Sequence, residues 1–228
     1  MSQMRMGHIL LAALCLWSCA LTVTSILNEE QVGRANNYIQ QQFTGNFNYQ
    51  YAYFVKFTAD ECNRGLTNQV LREALQRENS NNLVQTVNNY GIYEGNRMVA
   101  ASYLKQGSYT EHSEYRLLTP ENSSPISRLL QREPVAGCAI FYSLNSPCIT
   151  KCIRPNGKYN IINLLQSVTN VPQDKVFAFR QVFWYDADKP QTWASWRTLN
   201  NYMPLYRCNG NNCIRCFTNG VQQNNCMD

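Results

Sequence analysis

His112-Ser113-Glu114 opens the stretch around which this chain is organised. A strand-like apolar run follows at Ala139-Ile140-Phe141-Tyr142-Ser143, and the stretch closes with Ser146-Pro147-Cys148-Ile149-Thr150-Lys151-Cys152. It supplies one imidazole, one carboxylate two residues on, and two thiols four residues apart. One His and two Cys give a tetrahedral zinc ion three protein ligands and leave its fourth position open to water, the catalytic rather than the structural kind of site. Glu114 then stands beside that water, where a proton shuttle is needed. The only other histidine, His8, lies at the extreme start of the chain. The thiol spacing predicts a helix that begins at Cys148, with Pro147 at a position where a missing N–H costs nothing. Cys152 then falls one turn later on the same face, so both thiolates reach one ion. The competing reading is a local Cys148–Cys152 disulfide, for which residues one helical turn apart are poorly spaced and poorly aimed.

The chain has 228 residues, enough for one domain with a real core and a short appendage. Met1 to His8 carries Arg5 and no acid, Ile9 to Val23 is almost wholly apolar, and Ser18 and Ala20, or Val23 and Ser25, offer small residues for cleavage. Residues 1–25 therefore read as a secretory signal peptide, too short and too closely followed by polar sequence to be an anchor. The mature chain is expected to be secreted, extracellular and free of the membrane. Of ten cysteines, Cys15 and Cys19 leave with the leader. If Cys148 and Cys152 hold zinc, Cys62, Cys138, Cys208, Cys213, Cys216 and Cys226 remain as disulfide candidates. The count is even with or without the metal, so parity fits both readings. Net charge of +5 permits an anionic partner such as nucleic acid without demanding one.

After the leader, Asn28 is expected to cap a helix with Val32, Ala35, Ile39 and Phe43 on one face. Tyr49 to Phe57 reads as a strand closed by a turn at Asp60 to Gly65. Leu66 to Gln76 reads as a helix, and the polar Asn79 to Asn82 run as loop. Arg97 to Leu104 is a strand, and Glu111 to Leu118 a short helix ending before Pro120. Glu121 to Glu133 is a polar surface excursion holding Asn122-Ser123-Ser124, a glycosylation sequon at Asn122. Cys138 to Leu144 is a buried-type strand. Ile161, Leu164, Leu165 and Val168 mark another helix, Lys175 to Trp184 a strand, and Trp193 to Tyr202 a helix. Alternating helix and strand around one sheet predict an α/β layered domain over residues 26–205, with a disulfide-rich tail over 206–228.

The His112-Ser113-Glu114 and Pro147-Cys148 pattern resembles the zinc-dependent nucleobase and nucleoside deaminases. Ser146-Pro147-Cys148 is similar to the Ser-Pro-Cys of the AID/APOBEC branch, and Phe183-Trp184-Tyr185-Asp186-Ala187-Asp188 to the aromatic-acidic loop with which that branch reads the base 5′ of its target. With a leader added, the chain resembles the secreted AID/APOBEC-like cytidine deaminases over about residues 28 to 205, the tail lying outside. The resemblance implies a three-layer α-β-α sandwich on a mixed, about five-stranded sheet. It implies Zn2+ on His112, Cys148 and Cys152, and Glu114 as the shuttle that moves a proton from water to the ring nitrogen and the leaving amine. It implies a backbone N–H at Ser113 for the pyrimidine carbonyl, with Ser146, Pro147, Trp184 and Tyr185 also binding substrate. Three residues separate the thiols where two are commonest in the family, and Pro155-Asn156-Gly157 follows closely.

The implied activity is conversion of cytosine to uracil in single-stranded DNA or RNA, in a setting of immune defence. The alternatives are a free (deoxy)cytidine deaminase and a secreted binding protein on a catalytically inactive deaminase fold. Trp184 and Tyr185 can stack on a base or form the exposed end of a strand. Asp186 and Asp188 can read an exocyclic amine or solvate a turn. Lys105, Arg116, Arg128, Arg132, Lys151, Arg154 and Lys158 favour a polynucleotide if they line one groove, and are otherwise a solvated face. The tail pattern Cys208-X4-Cys213-X2-Cys216-X9-Cys226 lacks a His and so favours disulfides over a second metal. Two tail disulfides, or one in the tail and one reaching Cys62 or Cys138, both satisfy it.

Overall fold

Strand Cys138–Asn145 sits at the middle of a sheet, and its neighbours explain why the sequence around it is so apolar. The computed structural model describes residues 27–170 and 174–227, so the expected signal peptide at 1–25 lies outside the described residues. In chain order the elements are α1 (Glu29–Ile39), β1 (Tyr51–Phe57), α2 (Ala59–Asn63), α3 (Asn68–Leu75), α4 (Ser80–Asn88), β2 (Ile92–Glu94), β3 (Met98–Ser102), β4 (Leu104–Gln106) and β5 (Tyr109–Glu111). They continue as α5 (Ser113–Leu118), α6 (Pro125–Gln131), β6 (Cys138–Asn145), β7 (Asp174–Gln181), α7 (Thr192–Asn200), β8 (Leu205–Asn209), β9 (Asn212–Arg215), β10 (Phe217–Thr218) and β11 (Val221–Gln222).

The main sheet runs β2-β3-β1-β6-β7-β8-β9. Strands β6, β7 and β8 are parallel to one another, and the remaining pairs are antiparallel. The expected mixed five-stranded sheet is its centre, β3 to β8, with a short strand added at each edge. Because successive side chains point to opposite faces, β1 and β6 feed two cores. Tyr53, Val55, Ile140 and Tyr142 meet Val32 and Ile39 of α1, Leu71 of α3 and Leu83 of α4. Phe54, Ala139 and Phe141 meet Leu117 of α5, Leu129 of α6 and Trp196 of α7. Helices thus cover both faces, and strands buried on both sides read as continuous apolar runs rather than alternating ones.

Several local expectations change. Asp60 to Gly65 contains the short helix α2, because Thr58 and Glu61 form a capping box, the Glu61 carboxylate accepting the Thr58 N–H at 2.7 Å. The Asn79 to Asn82 run is the start of α4, since the Asn79 side chain accepts the Asn82 N–H at 2.9 Å. The excursion at Glu121 to Glu133 holds α6, capped by Ser124. Its last carbonyls are served by the buried Lys56 amine of β1, which donates to the Leu129 carbonyl at 2.7 Å and to that of Arg132. The face at Ile161 to Val168 belongs in part to a tighter 3-10 helix, Leu164–Asn170.

The six remaining cysteines pair as Cys62–Cys138, Cys208–Cys213 and Cys216–Cys226, so two bonds lie in the tail and one ties α2 to β6. The segment 206–228 begins inside the sheet: most of β8 and all of β9 belong to it, and Cys208 and Cys213 face each other across that hairpin. No described helix is long and apolar enough to cross a membrane.

The hairpin tip docks on α1. A Cβ at Gly33 would lie 1.9 Å from the Asn211 carbonyl oxygen. Gly to Ala inside a helix ordinarily stabilises by about 1 kcal/mol. Here the sign should reverse, with Gly33→Ala losing about 1–3 kcal/mol to overpacking. Thermal melting of the secreted protein tests this, and a raised midpoint would show that the tip does not rest on the helix.

Candidate active site

Three donor atoms converge where β5 turns into α5 and where the chain leaves β6. His112 is the N-cap residue of α5, in extended conformation, and its carbonyl accepts the Arg116 N–H at 3.1 Å. Its Nδ1 lies 3.2 Å from Cys152 Sγ and 3.6 Å from Cys148 Sγ, and the two sulfurs are 3.6 Å apart. Bonds of about 2.3 Å to sulfur and 2.0 Å to nitrogen at tetrahedral angles require donor separations of roughly 3.5–3.8 Å, so the triangle fits one zinc ion with a slightly tight edge. No other group of three His, Cys, Asp or Glu donors among the described residues converges in this way.

Cys148 does not open a helix. The segment from Cys148 to Cys152 is a single wide turn, closed by the Ile153 N–H on the Cys148 carbonyl at 3.0 Å. Pro155 explains the stop, because it disfavours helical backbone at Arg154 before it. The turn still brings both thiols to one point, and both are free and buried. A hydrogen bond shared with Cys152 drives the Cys148 thiol down to about 3, against burial and with help from His112. The same bond, with burial, pushes Cys152 well above the usual thiol range. The two sulfurs thus share a hydrogen bond that a bound cation would replace. Burial pulls His112 down, but its hydrogen bond with Cys148 and the charges of Glu114 and Cys148 outweigh it, so the imidazole rests above its ordinary value.

Glu114 is buried in the first turn of α5. Its Oε1 accepts the Ser143 hydroxyl at 2.7 Å, and its Oε2 lies 3.2 Å from the Ser113 hydroxyl. Gln50 closes the ring, donating to Ser143 Oγ at 3.1 Å and accepting from Ser113 Oγ at 3.0 Å. Burial raises the Glu114 carboxyl, while His112 and Ser143 oppose the shift. Gln50 and Ser143 were not singled out from the sequence. Ser143 carried a signal, since it shares the face of Ala139 and Phe141 on β6 and is the one hydroxyl in that row. Gln50 carried none, being a loop residue ahead of β1.

These groups line a cavity of about 240 Å³, with His112, Glu114 and Cys148 at its base and Tyr103, Asn145 and Phe183 among its walls. It is small beside the clefts that hold drug-sized ligands and suits one ring-sized group. Ser146 lines it, and its Oγ accepts the Phe183 N–H at 2.9 Å. Pro147 is buried just before the turn. Ser113 is buried, its hydroxyl spent on Gln50 and Glu114. Trp184 and Tyr185 lie past the end of β7, 77% and 47% exposed, and Phe183 rather than either of them lines the cavity. Asp186 is fully buried, whereas Asp188 is exposed. Asn122 is exposed in a 3-10 turn.

The basic residues do not act as one set. Arg116 is buried and donates to the Ser102 and Tyr90 carbonyls, and Arg128 and Arg132 both pair with Glu94. Lys151 and Lys158 gather over the Tyr159 ring, with Lys158 also over Tyr109. Lys151 reaches toward the carbonyl of Thr110, a residue of the cavity wall.

A family model described as Secreted Novel AID/APOBEC-like Deaminase 1 matches residues 34–228. The match runs through the disulfide-rich end, beyond the stretch over which the resemblance was expected. No curated protein and no solved structure matches the chain.

Zinc content of the purified protein should be about one per chain for three convergent His and Cys donors. It should be lost in His112→Ala and Cys152→Ser and kept in Glu114→Gln, whose side chain stands beside the donors without joining them. Metal emission spectroscopy on each variant reads this, and a metal-free wild type would refute the assignment.

Proposed function

The chain belongs to the Secreted Novel AID/APOBEC-like Deaminase 1 family, and from that premise we propose that it is a secreted zinc-dependent hydrolase converting cytosine to uracil in single-stranded DNA or RNA. The observation that carries the reading is the buried Glu114 carboxylate, anchored by Ser143 and Ser113 and opening on the same cavity as His112 and Cys148, two of the three convergent donors. A purely structural His/Cys/Cys site has no need of that carboxylate. A bound zinc ion, held by His112, Cys148 and Cys152, supplies a Lewis acid that makes water a nucleophile near neutral pH.

Glu114 takes the proton of the attacking water and delivers it to the ring nitrogen next to C4. A second transfer protonates the exocyclic amine, which leaves as ammonia, so water and cytosine become uracil and ammonia. Burial raises the proton affinity of this carboxyl, which suits a group that must hold a proton between the two transfers. Ser143 and Ser113 fix the direction in which the carboxylate points. The Ser113 backbone N–H is proposed to meet the pyrimidine carbonyl, and Tyr103 and Phe183 to flank the ring.

A polynucleotide is favoured over a free nucleoside by what surrounds the cavity. Tyr103 packs edge-on against Tyr49 and Tyr90, which are stacked on each other, and Phe183, also of the cavity lining, adjoins Trp184 and Tyr185. These two groups of aromatic rings suit bases flanking the target, and Lys151 and Lys158 suit their phosphates. Three disulfides and the apolar leader support secretion, exposed Asn122 supports glycosylation, and immune defence is the setting we propose for such a protein.

The test is release of uracil from single-cytosine oligonucleotides and from cytidine. Turnover on oligonucleotides should fall steeply with salt, and Glu114→Gln should lower it by about 10²–10⁴-fold with zinc retained. Turnover on cytidine alone, insensitive to salt, would assign a nucleoside deaminase. No turnover on either, with zinc bound, would leave a binding protein on the deaminase fold. Trp184→Ala should weaken oligonucleotide binding by about 1–3 kcal/mol and leave zinc content unchanged, as titration calorimetry would show.

A further inference from the structure

The turn that carries both thiols closes on itself at one end only. The Cys148 carbonyl is satisfied by the Ile153 N–H within the turn. The next peptide is tied to a distant part of the chain: the Ile149 N–H donates to Asp186 Oδ2 at 2.9 Å, across 37 residues of sequence. Asp186 is itself held. Its carbonyl accepts the Thr192 hydroxyl at 2.7 Å, and its N–H donates to the Phe183 carbonyl at 2.8 Å. At the other side of Cys148, Ser146 Oγ accepts the Phe183 N–H at 2.9 Å. The loop between β7 and α7 is thus clasped to the thiol segment at two points, one on either side of Cys148.

We propose that Asp186 is a positioning residue for the metal centre, its carboxylate fixing the Cys148–Ile149 peptide and through it the direction of the Cys148 thiol. The inference rests on the metal reading given above and departs from base reading by this acid. Asp186 is fully buried, so no base edge reaches it in this arrangement. Its second oxygen, Oδ1, is buried without a hydrogen-bond partner. A buried carboxylate left half-satisfied is costly, and the Ile149 N–H is what it gains. Groups that orient a metal ligand from outside the coordination sphere act in this way. A consequence follows for the rings beside it. Trp184 and Tyr185 span the gap between the clasps at Phe183 and Asp186, so the thiol turn also sets where these exposed rings stand.

Asp186→Leu removes the acceptor while keeping the branched shape at greater bulk, Asp186→Ala removes it with less bulk, and Asp186→Asn keeps an oxygen that accepts the same N–H. Zinc affinity by chelator competition should fall about 10–100-fold in the Leu and Ala variants and stay at the wild-type value in Asn. Alkylation of Cys148 by iodoacetamide in chelator-stripped protein, followed by peptide mass spectrometry, should be faster in Leu and Ala than in wild type and Asn. Thermal melting separates loss of fold from loss of metal, and either folded variant carries the test. Folded Leu or Ala protein that binds zinc as tightly as wild type, with an altered preference for the base 5′ of the target, overturns the inference. A wild type that holds no zinc defeats the metal reading instead, and the alkylation rates then decide the clasp: equal rates in all four proteins overturn it, and the predicted order supports it.

Discussion

Two thiols stand 3.6 Å apart in a chain whose six other described cysteines are oxidised. Much of the structure follows from keeping that pair reduced and aimed at one point. Cys62–Cys138 consumes the thiol at the start of β6, the strand that delivers Cys148 from its far end, and the tail bonds consume the other four. Every described sulfur that might exchange with the metal donors is therefore tied elsewhere. Burial does the rest, since both thiols lie beneath the surface and thiol–disulfide exchange needs access.

The carboxylate imposes a second demand. Glu114 is buried at a small cavity, and a buried carboxylate without hydrogen bonds is unstable. The sheet supplies the donors. Ser143 sits on β6 on the face that looks toward α5, and Gln50 enters just before β1, the strand paired with β6 in the register Ala52 to Ser143. The Gln50 amide donates to Ser143, which turns that hydroxyl proton onto the carboxylate, while the single Ser113 proton is shared between the Gln50 carbonyl oxygen and Glu114. The three convergent donors and the Glu114 carboxylate thus share β6 and α5 as a common frame, and shifting either element would disturb both.

Much of this was legible in the sequence because its causes are local. Asn28 announces α1 with an acceptor three residues from its donor, and the apolar run at Ala139 to Tyr142 announces a strand buried on two faces. His112, Cys148 and Cys152 were readable because metal ligation restricts residue type so strongly, and Glu114 because it follows the imidazole by two residues. What stayed hidden depends on partners distant in sequence. Nothing near Gln50 points to Ser113, 63 residues away, and nothing near Asp186 points to Ile149. The helix expected at Cys148 failed against Pro155, a local signal outweighed by the attraction of one-turn spacing. Strands β8 and β9 escaped notice because an Asn-rich hairpin braced by Cys208–Cys213 needs little apolar content of its own.

That hairpin bears on why the family match extends to the end of the chain. Without β9, strand β8 would be the sheet edge, offering unpaired N–H and C=O groups to other chains. β9 covers the edge, is itself short, and is stapled to β8 by Cys208–Cys213, while its turn rests on Gly33 of α1. Cys216–Cys226 then folds the last residues back, and the Arg207 guanidinium donates to the Asn225 carbonyl. The tail joins the same sheet that holds the site: β8 pairs with β7, and the chain leaving β7 clasps the thiol turn through Phe183 and Asp186. Two disulfides at the edge, one at the start of the central strand and the free thiols beyond its far end are then parts of one arrangement, in which oxidation is directed to the cysteines that brace the fold and kept from the two beside the cavity.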